Sequence, residues 1–105
     1  MSITYKTDIV VLGGGISGLW LLNAFQQSGF SSLLLEKNVL GGAQTLASQG
    51  MIHGGIKYAL GGFTTQASES IANMPEIWTR CLKGEGAIDL RSVKQLSDAY
   101  YLFSD

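Results

Sequence analysis

Three consecutive glycines, Gly13-Gly14-Gly15, break an otherwise apolar stretch and constrain this chain more than any other feature. The run before them, Asp8-Ile9-Val10-Val11-Leu12, reads as a strand, the glycines as a tight turn, and the apolar sequence from Ile16 onward as a helix. Gly13, Gly15 and Gly18 fall in the G-x-G-x-x-G spacing. In that pattern the first glycine takes the turn, the second lets a pyrophosphate approach the main chain, and the third lets helix and strand pack closely. Phosphates would sit against the N–H groups and the positive end of the helix.

The spacing alone is weak, so its surroundings decide its weight. A helix from Ile16 to Ser28 would stop at Gly29, a residue suited to a left-handed cap. A second apolar run, Ser32-Leu33-Leu34-Leu35, follows and ends in Glu36. A carboxylate there, about 20 residues after the glycines, is placed to accept hydrogen bonds from an adenosine ribose. A glycine turn in some other α/β unit would not need strand, helix, strand and acid in this register. An ADP-containing cofactor is therefore expected.

The 105 residues suffice for one domain. A net charge of −1 with scattered charges offers no basic stripe for nucleic acid. Cys81 is the one cysteine, which excludes an intrachain disulfide, suits a reducing compartment and reads as a buried or half-buried structural thiol. No charge occurs from Ile9 to Leu35, yet the glycines interrupt this stretch and its continuous part falls short of the roughly 20 residues a bilayer needs. A cytoplasmic protein is expected, with peripheral membrane contact left open.

Along the chain, Ile3 and Tyr5 of the lead-in are expected to touch the sheet edge. The first helix is apolar nearly all round (Ile16, Leu19, Trp20, Leu21, Leu22, Ala24, Phe25), so it needs cover on more than one side and belongs to a core larger than one βαβ unit. From Gly41 to Tyr58 small and hydroxyl residues alternate with Met51, Ile52, Ile56 and Tyr58, which suits a backbone wrapped around a bulky planar ligand better than a loop in water. Residues 63 to 84 read as a helix, or two helices joined at Pro75, with Ile71, Met74, Trp78, Cys81 and Leu82 as a packing face; Gly84-Glu85-Gly86 ends it. The stretch Val93 to Phe103 partly alternates and reads as a strand.

The glycine fingerprint, Leu35-Glu36-Lys37 and above all Ser48-Gln49-Gly50-Met51-Ile52-His53-Gly54-Gly55-Ile56-Lys57-Tyr58 resemble the FAD-dependent oxidoreductases of the D-amino-acid oxidase type, including glycerol-3-phosphate and L-2-hydroxyglutarate dehydrogenases. The resemblance implies an α/β fold: a Rossmann-like βαβ FAD-binding domain whose N-terminal part is residues 1–90, with 91–105 as the first strand of an incomplete substrate domain. It implies FAD, with Gly13, Gly15, Ile16, Ser17 and Gly18 on the pyrophosphate, Glu36 on the ribose and Lys37 near the adenine. Thr45, Ser48, Gln49 and Gly50 would line the path to the flavin. Where relatives often carry Arg or Asn around Ser48, this chain has Ala47 and Gln49.

The activity implied is oxidation of a small amino or hydroxy compound, or a polyol phosphate, by hydride transfer to flavin N5, with the 105 residues alone inactive. His53, the one histidine, is the candidate catalytic residue, though a positioning role weighs more than proton transfer and covalent flavin attachment less. Two alternatives remain: an adenine-dinucleotide-binding module without turnover, and an NAD-linked dehydrogenase.

Overall fold

In the computed structural model, which describes residues 1–55, 69, 71–99 and 101, the glycine-interrupted stretch forms β1 (Ile9–Leu12), a turn and α1 (Ile16–Gln27). The chain then returns as β2 (Ser32–Leu35), parallel to β1, with Ile9 opposite Ser32 and Leu12 opposite Leu35. A helical crossover is the usual way to join neighbouring parallel strands, because a tight turn cannot reverse the chain twice. Asp8 fixes where the pairing starts: its carboxylate accepts the Ser31 N–H at 2.8 Å, while its own N–H donates to the Ser31 carbonyl at 2.9 Å.

Side chains alternate across a strand, and the burial follows that period. Val11 is buried and Ile9, Ser32 and Leu34 are half-buried on the face against α1, whereas Val10, Leu12, Leu33 and Leu35 form an exposed apolar face. Within this unit α1 packs on the sheet, yet none of its residues is buried, and Ile16 and Leu21 stay exposed. Ile3 and Tyr5 do not lie against the sheet edge as expected but are largely exposed.

The end of α1 comes where the sequence predicts it. The Gly29 N–H donates to the Gln26 carbonyl and the Phe30 N–H to the Phe25 carbonyl, both at 3.0 Å, which is the Schellman pattern of helix closure. The rings of Phe25 and Phe30 meet edge to face with centroids 6.4 Å apart, supplying the apolar contact that accompanies this cap. After β2 a turn leads to one helical turn, α2 (Gln44–Ala47).

The chain divides into two compact units, residues 1–49 and 50–105. In the second, residues 69, 71 and 72 are helical, a turn falls at Asn73, and α3 (Met74–Lys83) begins afresh with Pro75 in its first turn. There the missing N–H has no intrahelical acceptor to lose. Cys81 is fully buried and Ile71, Met74, Trp78 and Leu82 are half-buried, while Glu76, Arg80 and Lys83 face outward, so the packing face is the one read from the spacing. Beyond Gly84 the chain folds back over the helix: the Leu90 N–H donates to the Cys81 carbonyl at 3.0 Å and Ile88 is buried.

The strand expected over 93–103 is not seen in its described part, residues 93–99 and 101. A strand persists only where a neighbour completes its ladder. Here the bonds are local instead: Gln95 Nε2 donates to the Ser97 carbonyl and to Asp98 Oδ1, and Ser97 Oγ to the Ala99 carbonyl. Ile56, Lys57, Tyr58, residues 63–68 and 70, and Tyr100, Leu102 and Phe103 lie outside the described residues. No helix among the described residues is long and apolar enough to cross a membrane.

Candidate cofactor-binding site

The glycine turn is braced on three sides. The Gly13 N–H extends the ladder to the Leu35 carbonyl at 2.8 Å, the Gly14 carbonyl accepts the Gly41 N–H at 2.7 Å, and the Gly14 N–H donates to Glu36 Oε2 at 2.6 Å. Gly13 itself has φ +102°, a conformation that L side chains rarely adopt. Gly18 is required by space rather than by dihedral angle. A Cβ there would run into the Gly13 carbonyl oxygen, 3.0 Å from its carbon and 3.4 Å from Val11 Cγ1. The third glycine therefore sets how closely α1 and β1 approach, as the spacing implied.

Glu36 stands at the end of β2, half-buried, with each oxygen already bound once: Oε2 by Gly14 and Oε1 by the Asn38 N–H at 2.9 Å. The Gly14 bond first, then the Asn38 bond, hold its carboxyl below the usual carboxylate range, because both stabilise the charged form. A carboxylate offers about four lone-pair positions, so acceptor capacity remains on both oxygens. Beside it, Leu12, Gly13, Leu35, Glu36 and Lys37 line an open groove of about 430 Å³. An apolar floor with one carboxylate suits a nucleoside whose base is flat and whose ribose donates hydroxyls.

The start of α1 lies at the other end of the turn. Gly15 is its N-cap, with no side-chain cap from that residue and no acidic residue in the first turn. The Ile16 N–H donates to Thr45 Oγ1 at 2.9 Å, and a Cβ on Gly15 would stand 3.2 Å from the same oxygen. Thr45 is thus brought from 29 positions away to the helix terminus, where an anionic oxygen is favoured by the helix dipole and the first-turn N–H groups. What holds it there is α2, entered through Ala43 at φ +54°, an uncommon angle for a residue with a Cβ.

Of the residues singled out in the sequence, Gly13, Gly15, Ile16, Ser17, Gly18, Glu36, Lys37 and Thr45 gather around this turn and groove within the first unit. Ser48 and Gln49 are exposed at its end, Ser48 Oγ donating to the Thr45 carbonyl at 2.9 Å. Gly50 and His53 belong to the second unit. There His53 is exposed, and its Nδ1 accepts the Gly55 N–H at 3.2 Å.

Four residues carry geometry that the sequence reading left unassigned: Gly14, Asn38, Gly41 and Ala43. The Gly41-Gly42 doublet was visible as a loop signal, but nothing in the spacing says that Gly41 bonds the fingerprint turn.

A parallel βαβ unit with a braced glycine turn, a close-packed third glycine and a carboxylate at the end of the second strand defines a dinucleotide-binding protein of the Rossmann-like class. Residues 8–100 match the family described as FAD dependent oxidoreductase, and the chain belongs to that family. It is 53% identical over 99 residues, 94% of its length, to the probable FAD-dependent oxidoreductase PA4991 of Pseudomonas aeruginosa, of which this alignment covers 25%. Over 51 residues, 49% of this chain and 10% of the relative, it is 41% identical to the aerobic glycerol-3-phosphate dehydrogenase of Escherichia coli. The crystal structure of PA4991 superposes with a TM-score of 0.82 at 45% identity, over 97% of this chain and 26% of that one. The chain thus spans about a quarter of the length of PA4991.

Proposed function

We propose that these residues form the adenosine- and pyrophosphate-binding part of a flavin-dependent oxidoreductase acting on a small amino or hydroxy compound. The observation that carries this reading is the Gly14–Glu36 bond at 2.6 Å, which ties the phosphate turn to the ribose acceptor. That bond joins the two proposed recognition elements directly. Membership of the FAD dependent oxidoreductase family supports FAD as the dinucleotide.

In this reading Gly13, Gly15, Ile16, Ser17 and Gly18 form the turn and the positive end of α1 that face the pyrophosphate, with the Gly13 and Ile16 N–H groups bonded to Leu35 and Thr45. Glu36 accepts the ribose hydroxyls, and Lys37 borders the adenine end of the groove. Thr45 orients the phosphate side of the turn, and Ser48, Gln49 and Gly50 continue toward the flavin. The bound flavin supplies the hydride-accepting chemistry, and the protein supplies orientation and exclusion of water. The similarity to an aerobic glycerol-3-phosphate dehydrogenase favours a hydroxy compound such as a polyol phosphate among the substrates. Residues 91–105 are assigned to the start of a substrate-binding region, and a cytoplasmic location with peripheral membrane contact fits such an enzyme.

The test is the visible absorption spectrum of the purified chain before and after denaturation. Flavin bands released on unfolding support the reading. A colourless chain that binds neither FAD nor ADP by calorimetry overturns it.

A further inference from the structure

Most of the main-chain donors in the glycine turn are already engaged. The Gly13 N–H donates to the Leu35 carbonyl at 2.8 Å, the Gly14 N–H to Glu36 Oε2 at 2.6 Å and the Ile16 N–H to Thr45 Oγ1 at 2.9 Å. Between them, the Gly15 N–H has no acceptor among the described residues. Its direction is set from the other end of its own peptide unit. A trans peptide is planar, with C=O and N–H on opposite sides, and no peptide bond among the described residues is cis. The Gly14 carbonyl accepts the Gly41 N–H at 2.7 Å, so the Gly15 N–H points away from Gly41. The preceding unit obeys the same rule: its N–H faces Glu36, and its oxygen, that of Gly13, faces Gly18 on α1.

Gly41 can reach Gly14 because of its own turn. The Gly42 N–H donates to the Val39 carbonyl at 3.3 Å, which closes Val39-Leu40-Gly41-Gly42 as a β-turn, and Gly41 takes the third position at φ +70°, where glycine is favoured. The closing bond leaves the Gly41 N–H to an outside acceptor. Leu40 of the same turn lies over Gly14: a Cβ on Gly14 would come within 2.6 Å of Leu40 Cδ2 and 3.2 Å of Glu36 Cβ. All of these residues belong to the first unit. A peptide plane between two glycines turns at little steric cost, so a tie on its oxygen is what fixes it.

Resting on the flavoenzyme reading above, we propose that Gly41 is a positioning residue for the cofactor, its N–H holding the Gly14 carbonyl so that the Gly15 N–H is presented to a phosphate oxygen of the dinucleotide. The Gly15 amide makes the contact, and Gly41 gives it direction.

The full chain without ligand is read first. A scalar coupling across the hydrogen bond, between the Gly41 nitrogen and the Gly14 carbonyl carbon, is expected by NMR; its absence overturns the proposal without touching the FAD reading. Titration with ADP is expected to move the Gly15 amide proton downfield, and titration with adenosine to leave it in place. A chain that binds ADP with this proton unmoved refutes the assignment. A chain that shows the coupling yet binds neither ADP nor FAD overturns the flavoenzyme reading, and the proposal with it. Replacing the Gly41 amide by an ester, in a chemically ligated chain, then removes the donor while keeping the glycine. ADP affinity should fall about tenfold or more while adenosine affinity stays within about twofold, because adenosine carries no phosphate for Gly15 to meet. Equal losses for ADP and adenosine would mark a merely structural role for Gly41 and overturn the proposal.

Discussion

Replacing Gly18 with alanine tests the geometry of the glycine turn with a single methyl group. The new Cβ would overlap the Gly13 carbonyl oxygen and sit 3.0 Å from the carbonyl carbon, closer than nine in ten real Cβ contacts. Neither atom can swing aside, because the Gly13 N–H is bonded to the Leu35 carbonyl at 2.8 Å and the Gly14 carbonyl to the Gly41 N–H at 2.7 Å. Relief requires α1 to move off β1 by about 1 Å, a displacement that forfeits roughly a quarter to a half of each dispersion contact across the gap. Overpacking of this kind costs about 1–3 kcal/mol. Alanine regains about 0.5–1 kcal/mol over glycine inside a helix. The net expectation is a loss of about 1–2 kcal/mol, read as a fall in melting temperature of roughly 4–8 °C for each kcal/mol in a chain of this size. Moving the first turn of α1 also displaces the N–H groups offered to phosphate, so ADP affinity by calorimetry should fall at least about tenfold, a change of roughly 1.4 kcal/mol. Gln26→Ala, at an exposed position of the same helix, is the control and should shift stability by less than about 0.5 kcal/mol. A G18A protein that melts with the wild type and binds ADP equally well would refute the close-packing argument.

Glu36→Gln should weaken ADP binding by roughly tenfold, since a charge-assisted bond to Gly14 and a ribose acceptor are both reduced. Because the folded Glu36 titrates below its ordinary value near 4.5, its contribution to stability is present above that value and is lost as pH falls through the lowered folded one. Melting curves of the wild type should therefore lose this component only in acid, and E36Q should lack it. Thr45→Ala removes the acceptor of the Ile16 N–H and should cost about 1 kcal/mol of stability, with T45S restoring most of it in denaturant titrations. In the second unit Gly86→Ala would place a Cβ 2.5 Å from Cys81 Sγ and 2.7 Å from the Cys81 nitrogen, and a loss of about 1–3 kcal/mol is expected. Cys81, fully buried, should resist an aromatic disulfide reagent until denaturant is added; stoichiometric reaction in buffer would contradict its placement.

The legible parts of this fold were those written in local sequence. Strand, turn, helix and strand appear where the apolar runs and glycines put them, and α1 closes at Gly29 because a left-handed residue there completes the Phe25–Phe30 contact. The restart of α3 beside Pro75 was equally readable, since proline acts on its own turn. The reading of 93–103 as a strand had no such local anchor. Alternation supplies a propensity, but a ladder needs a partner, and over 93–99 the side chains of Gln95 and Ser97 bond to nearby groups instead.

The sequence by itself determined the order of a Rossmann-like unit, a strand, a glycine turn at Gly13 to Gly18, a helix and a second strand ending at Glu36, because glycine spacing and a distant acid are properties of a chain counted along its length. Only the tertiary structure decided how those parts are tied: Gly14 to Glu36, Gly41 to Gly14, Thr45 to the first N–H of α1, and the Gly55 amide to His53. Hydrogen bonds depend on where two groups meet in space. Gly14 and Glu36, 22 positions apart, meet because two parallel strands end side by side, and Thr45 reaches the helix terminus because a turn through Ala43 sends it back.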